Sequence, residues 1–278
     1  MGTGGRMRSG GAWIKPCAAI GLWLLLSIWE GPAEASAWLA PKGHFQSIIT
    51  VRSFRNGDGF DDQGLAVAAT KFQKFEIDAY TEYGLTRAIT LGLTPRYQVA
   101  RAGQGASAAR NNGPGDLDAF VRLHLADFRA WTSSAQFAVK TPLYGRMHQP
   151  AAGNARKEFE ARLAAGRNIT ILRLPTFIDG EVAYRLGTQG VADQLRLEGA
   201  AGVSLFPRLK VLLKGYRTQS IGDGDGRPDS RFDLYKLEAS LLLRATRNIS
   251  VEFGAGKEAS DLAQGLGTSF FGALWLRF

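Results

Sequence analysis

The chain has 278 residues, of which 34 are lysine or arginine and 25 are aspartate or glutamate, giving a formal net charge of +9. These charges are spread through alternating segments rather than clustered, which disfavours a nucleic-acid-binding surface. The single cysteine, Cys17, lies near the amino terminus, so the rest of the chain offers neither a disulfide framework nor a thiol nucleophile.

The first predicted element is an export signal. Basic residues precede an apolar run at 18–29, and a small-x-small sequence ending at Ala37 follows it. These are the three parts of a cleavable secretory signal, and the run is shorter than the ~20 residues of a membrane-spanning helix. We therefore predict a signal peptide over 1–37 and a single mature domain over 38–278.

The mature chain alternates between apolar and polar residues with a period of two. At 89–99 the residues Ile, Leu, Leu, Pro, Tyr and Val alternate with Thr, Gly, Thr, Arg and Gln. This pattern predicts strands with one face in an apolar medium and the other in a polar one. No further apolar run is long enough for a spanning helix, which excludes a helical membrane protein. The predicted strands are 43–54, 71–84, 88–101, 115–126, 130–143, 156–166, 170–187, 193–206, 209–221, 231–245, 249–258 and 267–278.

Short and long connections alternate between these strands. Alternation of this kind is typical of barrels with short periplasmic turns and longer outside loops. We predict an all-β, transmembrane, antiparallel up-and-down barrel of twelve strands, with ten strands as the alternative. The short turns are expected at 85–89, 127–131, 166–169, 206–209 and 246–249, and the long connections at 55–64, 102–114, 144–154, 188–192, 222–230 and 259–266.

The last predicted strand ends on an aromatic residue. It resembles the carboxy-terminal signal of bacterial outer-membrane barrels, which their assembly machinery recognises. The resemblance implies a place in the outer membrane of a Gram-negative bacterium, with outer-membrane lipid, lipopolysaccharide and the barrel-assembly machinery as partners. The candidate signal residues are Phe270, Leu274, Leu276 and Phe278.

The polar faces of the strands carry both signs of charge. Assigned to the inside of the barrel, they predict a mixed-charge lumen, with acids mainly on the second, fourth, sixth and seventh strands and bases on the eighth to tenth. Opposite walls of opposite charge would order water and admit small polar solutes. The candidate lumen and selectivity residues are Arg96, Asp116, Asp118, Arg122, Glu158, Glu160, Arg162, Asp179, Glu181, Arg196, Glu198, Lys210, Lys214, Lys236, Glu238 and Arg244.

Two functions are consistent with such a barrel. Twelve strands lie between eight-stranded barrels filled by side chains and sixteen-stranded porins with a wide channel. We predict a porin-like channel for passive diffusion of small solutes through the mixed-charge lumen, and the sequence does not indicate its oligomeric state. The alternative is a closed barrel that acts in the envelope through its outside loops.

An enzyme is the third and weakest alternative. Twelve-stranded outer-membrane phospholipases and lipid A deacylases use serine and histidine on the barrel exterior near the outer leaflet. Here the pattern places His124 near Ser133, but at the periplasmic end and facing inward. No His or Cys spacing fits a metal site, and the Asp-Gly segments 56–62 and 223–229 are predicted turns, with a cation site as their alternative. We therefore predict no catalytic residues, no metal and no cofactor.

Three segments resemble a family of proposed outer-membrane transporters grouped with phenol-degradation (meta-pathway) proteins. This resemblance implies a porin-like barrel linked to the uptake of small, often aromatic molecules, and it transfers no catalytic residue. The segments are Tyr83-Gly84-Leu85-Thr86 with Ile89-Thr90-Leu91-Gly92-Leu93, Gly113-Pro114-Gly115-Asp116-Leu117, and Leu276-Arg277-Phe278.

Overall fold

The computed structural model describes residues 37–56, 59–60, 66–67, 71–103, 108–145, 155–222, 232–260 and 267–278. Apart from Ala37, the predicted signal peptide lies outside these ranges. Most of the two Asp-Gly segments, 56–62 and 223–229, also lies outside them. No helix in the described ranges is long and apolar enough to cross a membrane.

The described residues form β-strands of 11 to 20 residues, together with two strands of two residues each. In chain order they are β1 Phe45–Asn56, β2 Gly59–Phe60, β3 Ala66–Val67, β4 Phe72–Gly84, β5 Ile89–Ala102, β6 Ala109–Phe128, β7 Trp131–Pro142, β8 Glu158–Ile171, β9 Leu174–Gly187, β10 Asp193–Phe206, β11 Leu209–Ile221, β12 Asp233–Arg244, β13 Ile249–Ser260 and β14 Gly267–Arg277.

Twelve of these strands close into one antiparallel barrel. Each of β4 to β14 pairs with its neighbours in sequence, and β1 pairs with both β14 and β4 to close the sheet. The short strands β2 and β3 pair only with each other in the connection after β1. The prediction of a closed, twelve-stranded, antiparallel β-barrel is confirmed, and the ten-stranded alternative is wrong.

The period-two pattern separates the two faces of the wall. On β12, for example, Leu237 is 70% exposed whereas its neighbour Glu238 is 6% exposed. The same alternation on the other strands gives an outer face of exposed Leu, Phe, Tyr and Val. An outward apolar band around a polar interior is the arrangement of transmembrane barrels.

Two predicted boundaries are wrong. The turn expected at 166–169 lies instead at 172–173, because β8 continues to Ile171. The connection expected over 102–114 is shorter, since residues 109–114 continue β6 and pair with the end of β5.

Candidate functional site

Contacts between non-adjacent strands identify the inner face of the barrel. Side chains diverge on the convex outer side of a closed sheet and converge on the concave inner side. Arg52 on β1 forms an ion pair with Glu238 on β12, although β14 and β13 lie between these strands. Such a pair can form only across the interior, so the polar face of the wall points inward.

Arg162 on β8 lies among three carboxylates. Its Nη2 atom is 2.8 Å from Oε1 of Glu160 and 2.9 Å from Oε1 of Glu198. Its Nη1 atom also pairs with Glu181. Because Glu181 is on β9 and Glu198 is on β10, this one guanidinium joins three consecutive strands.

Two further arginines extend this cluster. Nη2 of Arg185 is 2.7 Å from Oε2 of Glu160, and Nη1 of Arg196 is 3.2 Å from the same oxygen. Arg185 also reaches Glu158, which is 1% exposed and lies 2.5 Å from Nζ of Lys140. Acids and bases therefore alternate along the inner face from β7 to β10.

A second cluster surrounds Arg122, which is 4% exposed. Its guanidinium donates to Oε1 of Gln136, to the hydroxyl of Tyr80 at 3.1 Å and to Oε2 of Glu82 at 3.3 Å. It also donates to the backbone carbonyl of Trp38 at 3.0 Å. The residues just before β1 therefore reach the same interior as the barrel strands.

Carboxylates on β12 and β13 are held in the same way. Glu252 accepts hydrogen bonds from Ser240 at 2.6 Å and from the Trp275 indole at 3.0 Å, and it lies 3.6 Å from Nζ of Lys214. Lys236 is 2.8 Å from Oε1 of Glu238. The interior acids are thus held by both cations and neutral donors.

The remaining predicted interior residues have these surroundings. Asp118 pairs with Arg96 at 2.6 Å. Asp116 lies 3.6 Å from Lys140. Asp179 accepts a hydrogen bond from the backbone N–H of Ala37. Lys210 lies over the ring of Phe177, 5.3 Å from its centroid, and Arg244 donates to the Pro207 carbonyl at the short-turn end. A selectivity role for any of these residues stays a prediction.

The expected separation of charge between walls is reduced by local pairing. Arg196 also lies 3.0 Å from Oε1 of Glu198, besides its contact with Glu160. Lys214 lies beside Glu252, and Lys236 lies beside Glu238. The positive charges of the bases on β10 to β12 are therefore largely compensated by acids beside them on the same part of the wall.

Several interior residues were absent from the predicted set. Alternation could have identified Arg52, because it lies two residues after Thr50 on the inward face of β1. Gln136 lies on the inward face of β7 by the same alternation, but it carries no charge and so was not among the predicted charged residues. Trp38 had no signal, because it precedes the first strand.

Ser133 and His124 engage separate partners. The Ser133 hydroxyl donates to the Ala126 carbonyl at 2.8 Å, whereas Nε2 of His124 is 3.4 Å from Asp127. No group of three or more His, Cys, Asp and Glu side chains in the described ranges could hold a metal ion.

The carboxy-terminal strand presents its predicted signal residues to the outside. Phe270 and Phe278 are well exposed, and Leu274 lies on the same outer face as Phe270 and Leu276. Phe278 exchanges two backbone hydrogen bonds of 2.9 Å with Phe45, at the seam where the barrel closes. Recognition of this strand by assembly machinery stays a prediction.

No protein-family model matches the chain, and no curated protein matches it in sequence. Its structure is similar to that of the NanC porin, with a TM-score of 0.54 and 8% identity over 82% of this chain and 98% of that one. For the KdgM porin the TM-score is 0.48 and the identity 7%, over 83% of this chain and 99% of that one. For the translocator domain of the autotransporter NalP from Neisseria meningitidis the TM-score is 0.46 and the identity 9%, over 84% of this chain and 88% of that one.

The likeness to the NanC porin shows a shared fold. The chain is a closed β-barrel of the type found in outer-membrane porins. The resemblance to phenol-degradation transporters is not confirmed by these comparisons.

Proposed function

We propose that this protein is an outer-membrane, porin-like channel through which small polar solutes diffuse passively. The observation that carries the proposal is the two-faced wall. Exposed apolar side chains cover its outer face, and charged side chains such as Arg162 and Glu160 converge on its inner face. A wall of this kind suits lipid on one side and water on the other.

The physical chemistry of the interior supports a wet path. Charges removed from water carry a desolvation cost of several kcal/mol each, which pairing offsets only in part. Water in the barrel lowers that cost. Paired charges of both signs also interact with neutral polar and zwitterionic solutes without excluding either sign of ion.

The same interior bears on the class of solute. An interior that contains Arg122, Glu160 and Arg162 offers hydrogen bonds and charge rather than an apolar surface. We therefore propose small polar solutes rather than apolar aromatic ones, and we expect that export by the signal over 1–37 brings the protein to the outer membrane.

Liposome swelling tests this proposal. The exported, processed protein is reconstituted and exposed to neutral sugars of increasing size, with heat-unfolded protein as the control. We expect swelling with the smallest sugars and a rate that falls as size increases. A correctly folded, heat-modifiable barrel that permits no swelling would contradict the channel and favour the closed-barrel alternative.

A further inference from the structure

The residues just before β1 turn back into the barrel. At the rim, the backbone N–H of Gly43 donates to the carbonyl of Gly84 at 2.7 Å, and that of His44 donates to the carbonyl of Pro41 at 2.9 Å. This tight turn fixes the point at which the chain enters the interior. We call the stretch 37–41 the amino-terminal segment.

The amino-terminal segment is held by side chains and backbone of the inner face. The backbone N–H of Ala40 donates to Oγ1 of Thr90 at 3.0 Å, and Thr90 is fully buried. The Trp38 carbonyl accepts from Arg122, and the Trp38 ring meets Phe177 edge-on at 6.4 Å between centroids. Polar and aromatic contacts from β5, β6 and β9 therefore fix this segment inside the barrel.

Gly166 leaves the space that the Trp38 ring occupies. A Cβ atom added at Gly166 would lie 2.3 Å from that ring, closer than real contacts allow. On the other side of β8, Gly166 pairs with Thr132, the second residue of β7. The Trp38 ring therefore lies on the inner face, at the level of the first residues of β7.

One carboxylate at the end of the segment is incompletely paired. The backbone N–H of Ala37 donates to Asp179, which is the register partner of Gly166. The other oxygen of Asp179, Oδ2, is buried without a hydrogen-bond partner in the described part of the chain. Glu181 and Glu198 lie close enough to repel its charge, and the Arg122 guanidinium offsets this repulsion in part. The site therefore suits an additional cation.

We propose that the amino terminus of the processed protein is this cation, and that it anchors a plug in the periplasmic end of the barrel. Hydrolysis of the Ala37–Trp38 amide bond by a signal peptidase and water leaves a carboxylate on Ala37 and an amine on Trp38. The amine takes up a proton, and the resulting ammonium replaces the Ala37 N–H as the partner of Asp179. The seating of Trp38 is independent of conduction, whereas its gating effect rests on the proposed channel.

Reactivity of the terminal amine tests the anchor without measuring conduction. Protein purified from outer membranes is treated with an amine-reactive ester, and modification at Trp38 is quantified by peptide mass spectrometry, with the exposed Lys42 amine as internal reference. We expect processing to give Trp38 as the first residue. We also expect its amine to react at least about tenfold more slowly in the folded barrel than in the urea-unfolded chain.

Two substitutions should remove this protection. Asp179→Asn deletes the counter-charge, and Gly166→Ala fills the space of the Trp38 ring. The matched controls are Asp118→Asn, another interior carboxylate, and Gly180→Ala, where an added Cβ meets open space. Heat-modifiability shows that each variant is folded.

The outcomes separate the plug from the channel. Protection in the wild type that is lost in Asp179→Asn or Gly166→Ala, but kept in both controls, supports the anchor even if every barrel is electrically silent. A different first residue would overturn the proposal, as would a Trp38 amine that reacts as fast in the folded barrel as in urea. In planar bilayers the released plug should then increase the open time or step size of the channel.

Discussion

The two ends of the barrel interior are built from different chemistry. Toward the short turns, Phe177, Leu212, Leu242 and Trp275 are buried on the inner face among charged groups such as Glu252, and the Trp38 ring packs against Phe177. Toward the long connections, the inner face carries ion pairs such as those of Glu158, Arg185 and Lys236. The short-turn end can therefore be closed by packing, whereas the other half must keep its charges paired or wet.

We propose that this difference separates a gate from a selectivity region. Apolar and aromatic contacts exclude water, and moving the amino-terminal segment would break them together with the proposed pair at Asp179. Charged side chains held on neighbouring strands would stay in place in a conducting barrel. We expect substitutions at the short-turn end to change how often the path is open, and substitutions in the charged half to change stability and selectivity.

Removing the central cation of the charged half should have the largest effect. Arg162→Met leaves the carboxylates of Glu160, Glu181 and Glu198 with less compensation, and breaking such a buried network costs about 3–5 kcal/mol of unfolding free energy. Urea unfolding in lipid vesicles measures this loss. The control is Arg217→Met, which breaks the rim pair with Asp233 and should cost less than about 1 kcal/mol. Equal losses for the two variants would show that the interior pairs are as well solvated as the rim.

Placing a charge on the outer face should have the next largest effect. Leu163 is 55% exposed near the middle of β8, so Leu163→Arg puts a cation at mid-depth in lipid and should cost about 2–4 kcal/mol. The depth control is Phe206→Arg beside a short turn, expected to cost about 0–1 kcal/mol. The same unfolding assay compares them. A similar cost at both depths would contradict the assignment of this face to lipid.

Removing bases from the inner face should change ion selectivity. The triple replacement of Arg196, Lys210 and Lys214 by Ala leaves Glu160, Glu198 and Glu252 with fewer cations nearby. We expect the cation-to-anion permeability ratio to rise about threefold, seen as a shift of the reversal potential under a salt gradient. Unchanged selectivity in a conducting variant would mean that ions pass elsewhere.

The smallest effect is expected at His124 and Ser133. Because these side chains engage Asp127 and the Ala126 carbonyl rather than each other, the replacements His124→Ala and Ser133→Ala should leave lipid composition unchanged. Lipid and lipopolysaccharide analysis of reconstituted membranes checks this. Hydrolysis by the wild type that either substitution removes would restore the enzyme alternative.

The strands were largely predictable because the period-two alternation of apolar and polar residues can be read directly from the sequence. The predicted strands 193–206 and 209–221 coincide with β10 and β11. The turn at 172–173 was not predictable, since Leu172 and Arg173 adopt positive φ without glycine. Gly166 instead suggested a turn, although its role is to leave room for the Trp38 ring.

The sequence predicted which side chains lie on the inner face of the barrel, but not which of them pair with each other. Alternation indicated which side chains share the inward face, as for Arg162 and Glu198. It could not indicate that Arg162 spans to β10, or that Arg52 reaches Glu238, because such contacts depend on barrel curvature and register. The amino-terminal segment has no periodic pattern, so its return into the interior left no signal in the sequence.

Single-channel recording of the exported, processed protein in planar bilayers tests the central claim that the charged interior is a conduction path. Wild type and Gly166→Ala are compared with Gly180→Ala under a salt gradient. The account predicts discrete conductance steps, with Gly166→Ala open for a larger fraction of time than the other two. Folded, heat-modifiable barrels that remain silent in all three forms would contradict it.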